Sequence, residues 1–256
     1  MRAGTISIAA ALTVLPVVGC GSSAPQTRTV QGQCEDFYGT DICPWATLNG
    51  ADSLIEFGIT IPLAAIELAP DDMEMVWPPA VGAIINLPTE VSAAVGADHL
   101  TAYWEPHGHP PGPYLTPHFD FHFYVVSHST REAIDCAAPR MPGELPAGYR
   151  LVDVEIPGVG ILEGFCVPAM GMHALLASEL ESDALFEGTM VAGYTDGGAP
   201  LFFEPMVTRE MLMRRQSFEL PMPAVSGVPE GVRYPRRFLA EYDAATEAYR
   251  FIFSGG

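Results

Sequence analysis

Short apolar segments, punctuated by turn residues, make up most of the chain; 25 glycines and 24 prolines interrupt 256 residues. That is the pattern of a mostly β protein with many turns. LIEFGITIPLAAIEL (54–68), YRLVDVEI (149–156), TMVAGYT (189–195) and PLFFEPMV (200–207) read as strands. The Asp-Gly of DGGA between the last two predicts a hairpin. Near the end, RRFLAEYD and AYRFIFSG alternate with period two about a short polar connection and predict a final hairpin. A helix over 238–253 is the alternative, because the Ala and Glu in the middle favour one. Helices are predicted for MHALLASELES (172–182) and TREMLMRRQ (208–216), where Thr208 can cap the first turn. Together these elements predict a mainly β, β-rich α+β chain. Its antiparallel hairpins would form a barrel-like or sandwich-like single domain with a few short helices.

The sharpest alternation falls inside WEPHGHPPGPYLTPHFDFHFYVVS (104–127). On a strand, successive side chains point to opposite faces, so His118, Asp120 and His122 share one face and Phe119, Phe121 and Phe123 the other. The aromatic face supplies core; the other aligns nitrogen and oxygen ligands of the kind zinc and similar transition metals take. Reach limits their use. Strand residues four apart are separated by ~13 Å, whereas histidine binds zinc at ~2.0–2.1 Å. A regular strand therefore cannot give His118 and His122 to one ion, and further ligands must come from elsewhere. The turn signal PPG (110–112), with a strand over 101–106 before it, predicts a hairpin, its register known to a residue or two. That pairing opposes His107 to His118, Glu105 to Asp120 and Tyr103 to His122, with His109 in the turn. His173, at the start of a predicted helix, could swing into the site. Glu204, an acid on an otherwise apolar strand, is a candidate general base or a neighbour of the ligands. His99 and His128 have no evident partner. The competing reading is a cluster of histidines that only fill hydrogen bonds.

The ends, the cysteines and the charge place this domain. TISIAAALTVLPVV (5–18) is too short to span a bilayer, which takes ~20 apolar residues, and reads as a signal peptide over 1–19. Val17, Val18 and Gly19 lead into Cys20 in the manner of a bacterial lipobox, which predicts lipidation of Cys20 and membrane anchoring through it; an ordinary secretory signal is the alternative. Residues 20–33 form a flexible tether and 34–256 the β-rich domain. Cys34, Cys43, Cys136 and Cys166 remain, and four cysteines allow three pairings. Cys34 with Cys43 and Cys136 with Cys166 is the pairing we favour; a four-cysteine zinc site lacks the close Cys-x-x-Cys spacing. With 12 arginines, no lysine and 31 acids, the net charge of -19 argues against nucleic acid and anionic headgroups as partners. No nucleophile elbow, phosphate loop or dinucleotide fingerprint occurs in the sequence.

HGHPPGPYLTPHFDFHFY, MGMH, GTMVAGYTDGGAPLFFEPMVTREML and GVRYPRRFLAEYDAATEAYRFIFSG, in that order, resemble a bacterial family of exported proteins of unknown function. A Thermus protein controlled by the sigma-E/anti-sigma-E stress system typifies it. The similarity runs from about residue 49 to the C-terminus. It implies a mostly β single domain, a homo-oligomer and metal binding through His107, His109, His118, Asp120, His122 and His173. The chain departs from the family at Ala174, where tryptophan is usual, and at Glu187, where threonine is usual. The expected function is that of an exported lipoprotein of the cell envelope that binds a divalent transition metal, zinc first, in envelope stress or metal handling. A metal-dependent hydrolase or other metalloenzyme, with Glu105 or Glu204 as base, is the alternative. A metal-free structural oligomer is the second alternative.

Overall fold

The N-terminal strands open one sheet, the middle of the chain builds another, and the C-terminal hairpin returns to the first. The computed structural model describes residues 26–256 apart from Met75, Trp77, Pro78, Pro157, Val159, Pro229 and Gly231, so the predicted signal peptide and Cys20 lie outside the described residues. The first sheet starts with β1 (Arg28–Gln31), β2 (Glu35–Phe37), β3 (Thr40–Leu48) and β4 (Leu54–Pro62). The second takes β5 (Ala83–Asn86), β6 (His99–Glu105), β7 (His118–Tyr124) and β8 (Tyr149–Leu151). A separate small hairpin follows, β9 (Val154–Ile156) with β10 (Gly160–Leu162). β11 (Cys166–Val167), β12 (Gly171–Leu176), β13 (Gly188–Tyr194) and β14 (Pro200–Thr208) complete the second sheet. β15 (Phe218–Leu220), β16 (Arg237–Asp243) and β17 (Ala248–Ser254) finish the first.

The first sheet runs β1-β3-β4-β17-β16-β15 with β2 beside β3, and the second runs β11-β12-β13-β14-β7-β6-β5 with β8 beside β12. Neither closes on itself, so the sandwich and not the barrel is formed. Between the sheets lies the main core. Phe119, Phe121 and Phe123 of β7 are fully buried there among Phe57, Phe238, Phe251 and Phe253. The Phe121 and Phe251 rings lie 5.3 Å apart and the Phe123 and Phe253 rings 4.7 Å apart, both edge-on. Each such side chain contributes about 1.5–3 kcal/mol by leaving water. The aromatic face expected of β7 is thus the face that holds the two layers together.

Both predicted hairpins form, β13–β14 about the Asp-Gly turn and β16–β17 at the end, and the helical alternative for the latter does not. Thr208 caps the helix Arg209–Met213, its hydroxyl accepting from the Met211 N–H at 3.2 Å. Three local expectations are corrected. The segment 54–68 is a strand only to Pro62; it then turns into the helix Leu63–Leu68, which buries Leu63, Ala65 and Ile66 at helical spacing. The segment 149–156 breaks into β8 and β9 after Leu151; the Val152 N–H still bonds the His173 carbonyl of β12, but the Val152 carbonyl accepts from the Phe165 N–H. The segment 172–182 is β12 up to Leu176, and only Ala177–Leu180 is helical. Pairing with β8, β11 and β13 overrides its helix-forming composition.

The second face of the second sheet is covered by loops. Tyr114, Ile134, Cys166 and Met172 pack there with Tyr194 and Phe202 of the sheet, and Tyr103 packs on Val167 and Met170. The disulfides are Cys34–Cys43 and Cys136–Cys166, the favoured pairing, and the second pins this cover. Two disulfides fit an exported chain folded in an oxidising setting. No helix among the described residues is long and apolar enough to cross a membrane.

Candidate metal centre

The register of β6 on β7 sets the site. Glu105 lies opposite His118, Tyr103 opposite Asp120 and Thr101 opposite His122, a shift of two residues from the predicted pairing. The connection is the cause: the whole of 106–117 forms a folded loop where a tight turn at PPG was expected. Gly108 takes a left-handed φ of 65°, and a Cβ there would sit 2.1 Å from the Tyr114 carbonyl oxygen. The His109 N–H bonds that same carbonyl at 3.2 Å, and a 3-10 turn at Gly112–Tyr114 fills the bend. His109 is thereby folded back over β7, whereas His107 is exposed.

On its other side β7 meets β14, with Met206 opposite Asp120 and Thr208 opposite His118. The same register carries Glu204 beside His122. His173 arrives from β12 by way of Gly193, its partner on β13. A Cβ on Gly193 would lie 2.2 Å from the Phe202 ring, so glycine there lets that ring lie flat over the sheet. Phe202 then packs edge-on against both His122 and His173, at 4.6 and 5.0 Å between ring centres, and fixes their aim.

Two groups of three ligand atoms result, His109 with His118 and Asp120, and His122 with His173 and Glu204. In the first, His118 Nδ1 lies 2.7 Å from the Thr116 carbonyl and His109 Nδ1 2.9 Å from that of Pro110. A carbonyl only accepts, so each Nδ1 carries the proton. A neutral ring then turns a bare lone pair inward at Nε2. His118 Nε2 faces Asp120 Oδ1 at 3.3 Å, and neither atom has a hydrogen-bond partner. His109 Nε2 lies 3.7 Å from Asp120 Oδ2. In the second group, His122 Nε2 lies 3.3 Å from His173 Nε2 and 3.4 Å from Glu204 Oε2. Glu204 Oε2 has no hydrogen-bond partner either. Ligands at ~2.0–2.1 Å in a tetrahedron are separated by about 3.3–3.4 Å. The His122–His173 and His122–Glu204 separations match that spacing, as does that of His118 and Asp120, and all three atoms of the His122 group lie within 4.8 Å of one another.

Electrostatics agrees. Burial pushes the His118, His122 and His173 rings down, His173 to about 4, so all three are neutral with lone pairs to give. Burial opposes the charge on Asp120, but the surrounding histidines outweigh it and hold the carboxyl at about 2. Burial, and then the charge of Asp120, push Glu204 well above the carboxylate range. Two acids thus stand in one dry space, and a proton on Glu204 or a bound cation relieves them. Burial works against a charge on His109, but Asp120 prevails and lifts it to about 9; that ring takes up a proton where no other cation is held.

A third group, Asp98, His99 and His128, is different. His99 Nδ1 lies 3.2 Å from Asp98 Oδ2, His128 Nε2 3.0 Å from Asn86 Oδ1, and the rings stack with centres 3.7 Å apart. Protein groups satisfy these two nitrogens, whereas the buried Nε2 of His99 has no hydrogen-bond partner.

Of the residues the sequence nominated, His109, His118, Asp120, His122 and His173 are brought together, and His107 belongs to none of the groups. Glu105 is buried opposite His118 but is not at ligand distance. Glu204, held in reserve as a base, lies with His122 and His173 in a group that could hold an ion. Both groups open on a cavity of about 340 Å³, whose remaining wall is largely apolar, with Tyr103, Phe165, Val167, Met170 and Val191 prominent. Compared with known protein families, with curated proteins and with solved structures, the chain matches none.

Proposed function

We propose that this is an exported, lipid-tethered protein of the cell envelope that binds divalent transition metal, zinc first, for metal handling under envelope stress. Anchoring through Cys20, homo-oligomeric assembly and kinship with the sigma-E-controlled family are part of this reading. His122, His173 and Glu204 hold one ion and His109, His118 and Asp120 a second. The observation that carries it is the meeting of His122 Nε2 with His173 Nε2 at 3.3 Å and with Glu204 Oε2 at 3.4 Å, each the separation of two ligands on a tetrahedral ion. Nitrogen and oxygen donors without thiolate suit zinc and its neighbours over softer ions.

A metal-dependent hydrolase is the second reading, favoured by one observation: each group offers three protein ligands and opens on the cavity. Three ligands with an open position are characteristic of catalytic zinc, which supplies a Lewis acid there. In that case the protein's part is to hold the ion, exclude water with its apolar walls and keep Glu105 beside the first group.

Elemental analysis of protein purified without chelator tests the proposal. One ion per group is expected in the unaltered chain, with the content falling in His118→Ala and in His173→Ala. A metal-free unaltered protein that takes up no added zinc would overturn it. A loaded structure with three protein ligands and a water at each ion would favour the hydrolase.

A further inference from the structure

We propose that the cavity over the two ligand groups is a binding site for a small monocarboxylate with an apolar, aromatic or branched body, whose carboxylate rests on a bound ion. The inference deepens the metal-binding reading and rests on it.

The shape and lining of the cavity carry the argument. At about 340 Å³ it has roughly twice the space of a cavity that admits benzene, on the order of 150 Å³, and it falls in the range of small-ligand sites. Its ionisable ligand groups are His109, Asp120, His122, His173 and Glu204, and apart from the Tyr103 hydroxyl the other lining side chains are apolar. Tyr103 and Val191 rise from the sheet, and Val152, Phe165, Val167 and Met170 come down from the cover. The Cys136–Cys166 disulfide holds that cover beside the cavity, so the apolar wall is formed in advance of any ligand. An apolar body is what such walls recognise.

The head follows from charge. No arginine is among the residues lining the cavity and the chain has no lysine, so the protein itself offers nothing cationic there to an anion except His109. Two neutral histidines and one carboxylate on a divalent ion leave one net positive charge and an unfilled position. An anionic oxygen donor fits that position, and a carboxylate is the simplest that an apolar body can carry. Without the ion, the Asp120 carboxylate would repel it.

Titration of the zinc-loaded protein with 3-phenylpropanoate, acetate and 3-phenylpropanol, followed by calorimetry, separates the two parts of the inference. Phenylpropanoate is expected to bind at least tenfold tighter than either comparison ligand, and to lose that binding in chelator-treated protein. Val167→Phe, which narrows the cavity from the cover on a strand that carries none of the ligands, is expected to weaken phenylpropanoate tenfold with metal content unchanged. Leu175→Phe serves the same purpose should the first variant fail to fold. Equal affinity for phenylpropanoate and acetate in metal-loaded protein would overturn the inference and leave the metal reading standing. So would undiminished phenylpropanoate binding after chelation. A protein that takes up no zinc would remove both.

Discussion

Glu105 is the acid of this face that takes no ligand position, and its titration is correspondingly simple to follow. Burial, then the charge of Asp120, raise its carboxyl to about 7, with His109 pulling the other way. An acid raised in the folded chain keeps its proton after the unfolded chain has lost its own, so its stabilising contribution is whole below about 4.5 and declines as the pH climbs to about 7. In chelator-treated protein Glu105→Gln should therefore gain on the unaltered chain across that window, reaching about 2–3 kcal/mol at neutral pH. Urea unfolding of both at a series of pH values checks this; a constant difference between them would refute it. At this scale the sequence was informative wherever spacing alone decides. His118, Asp120 and His122 had to share a face whatever their surroundings, and they do. Glu204 was underestimated because its role depends on which strand pairs with β7 and in what register, and no local pattern encodes that. His107 lies exposed and outside these groups for the opposite reason: nearness in sequence to His109 says nothing about which of the two a folded loop turns inward.

β7 is the element that joins fold to site. Phe121→Ala should cost about 3–5 kcal/mol by opening a cavity between the sheets, measured by denaturant unfolding, while a folded sample keeps its metal because the ligands lie on the other face. Thr208→Ala should cost about 1 kcal/mol through loss of the helix cap, with no change in metal content although its neighbour across the ladder is His118. The period-two hairpins and the Asp-Gly turn were legible before the structure because local chemistry and tertiary pairing agree there. β12 and the helix Leu63–Leu68 were not, because in both the surroundings decide against or beyond what Ala, Leu and Glu prefer locally.

For the molecule as a whole, the cover is the part least supported by a sheet of its own. It consists of loops and short strands, and Cys136–Cys166 closes a span of 30 residues across it. Removing such a crosslink costs about 3.6 kcal/mol by the loop-entropy account. Reduction of this bond, or Cys136→Ser with Cys166→Ser, should lower thermal stability by that order and speed amide exchange in residues 152–170 before the sheets, read by hydrogen exchange. Uniform exchange across both would count against it. The sandwich class was legible from alternating segments and turns, but that loops, not a third layer, would enclose the second face was not, since apolar loop residues such as Phe165 and Met170 carry no periodicity.

The two faces of β7 also restrict how this protein can change over generations. A single-residue insertion or deletion within 118–124 would turn the ligands into the phenylalanine layer and the phenylalanines onto the cavity, damaging both at once. Substitutions can erode the ligand set one residue at a time, but a frame change in this strand cannot abandon it without abandoning the fold. Length variation among descendants of this chain should therefore spare the seven residues of β7.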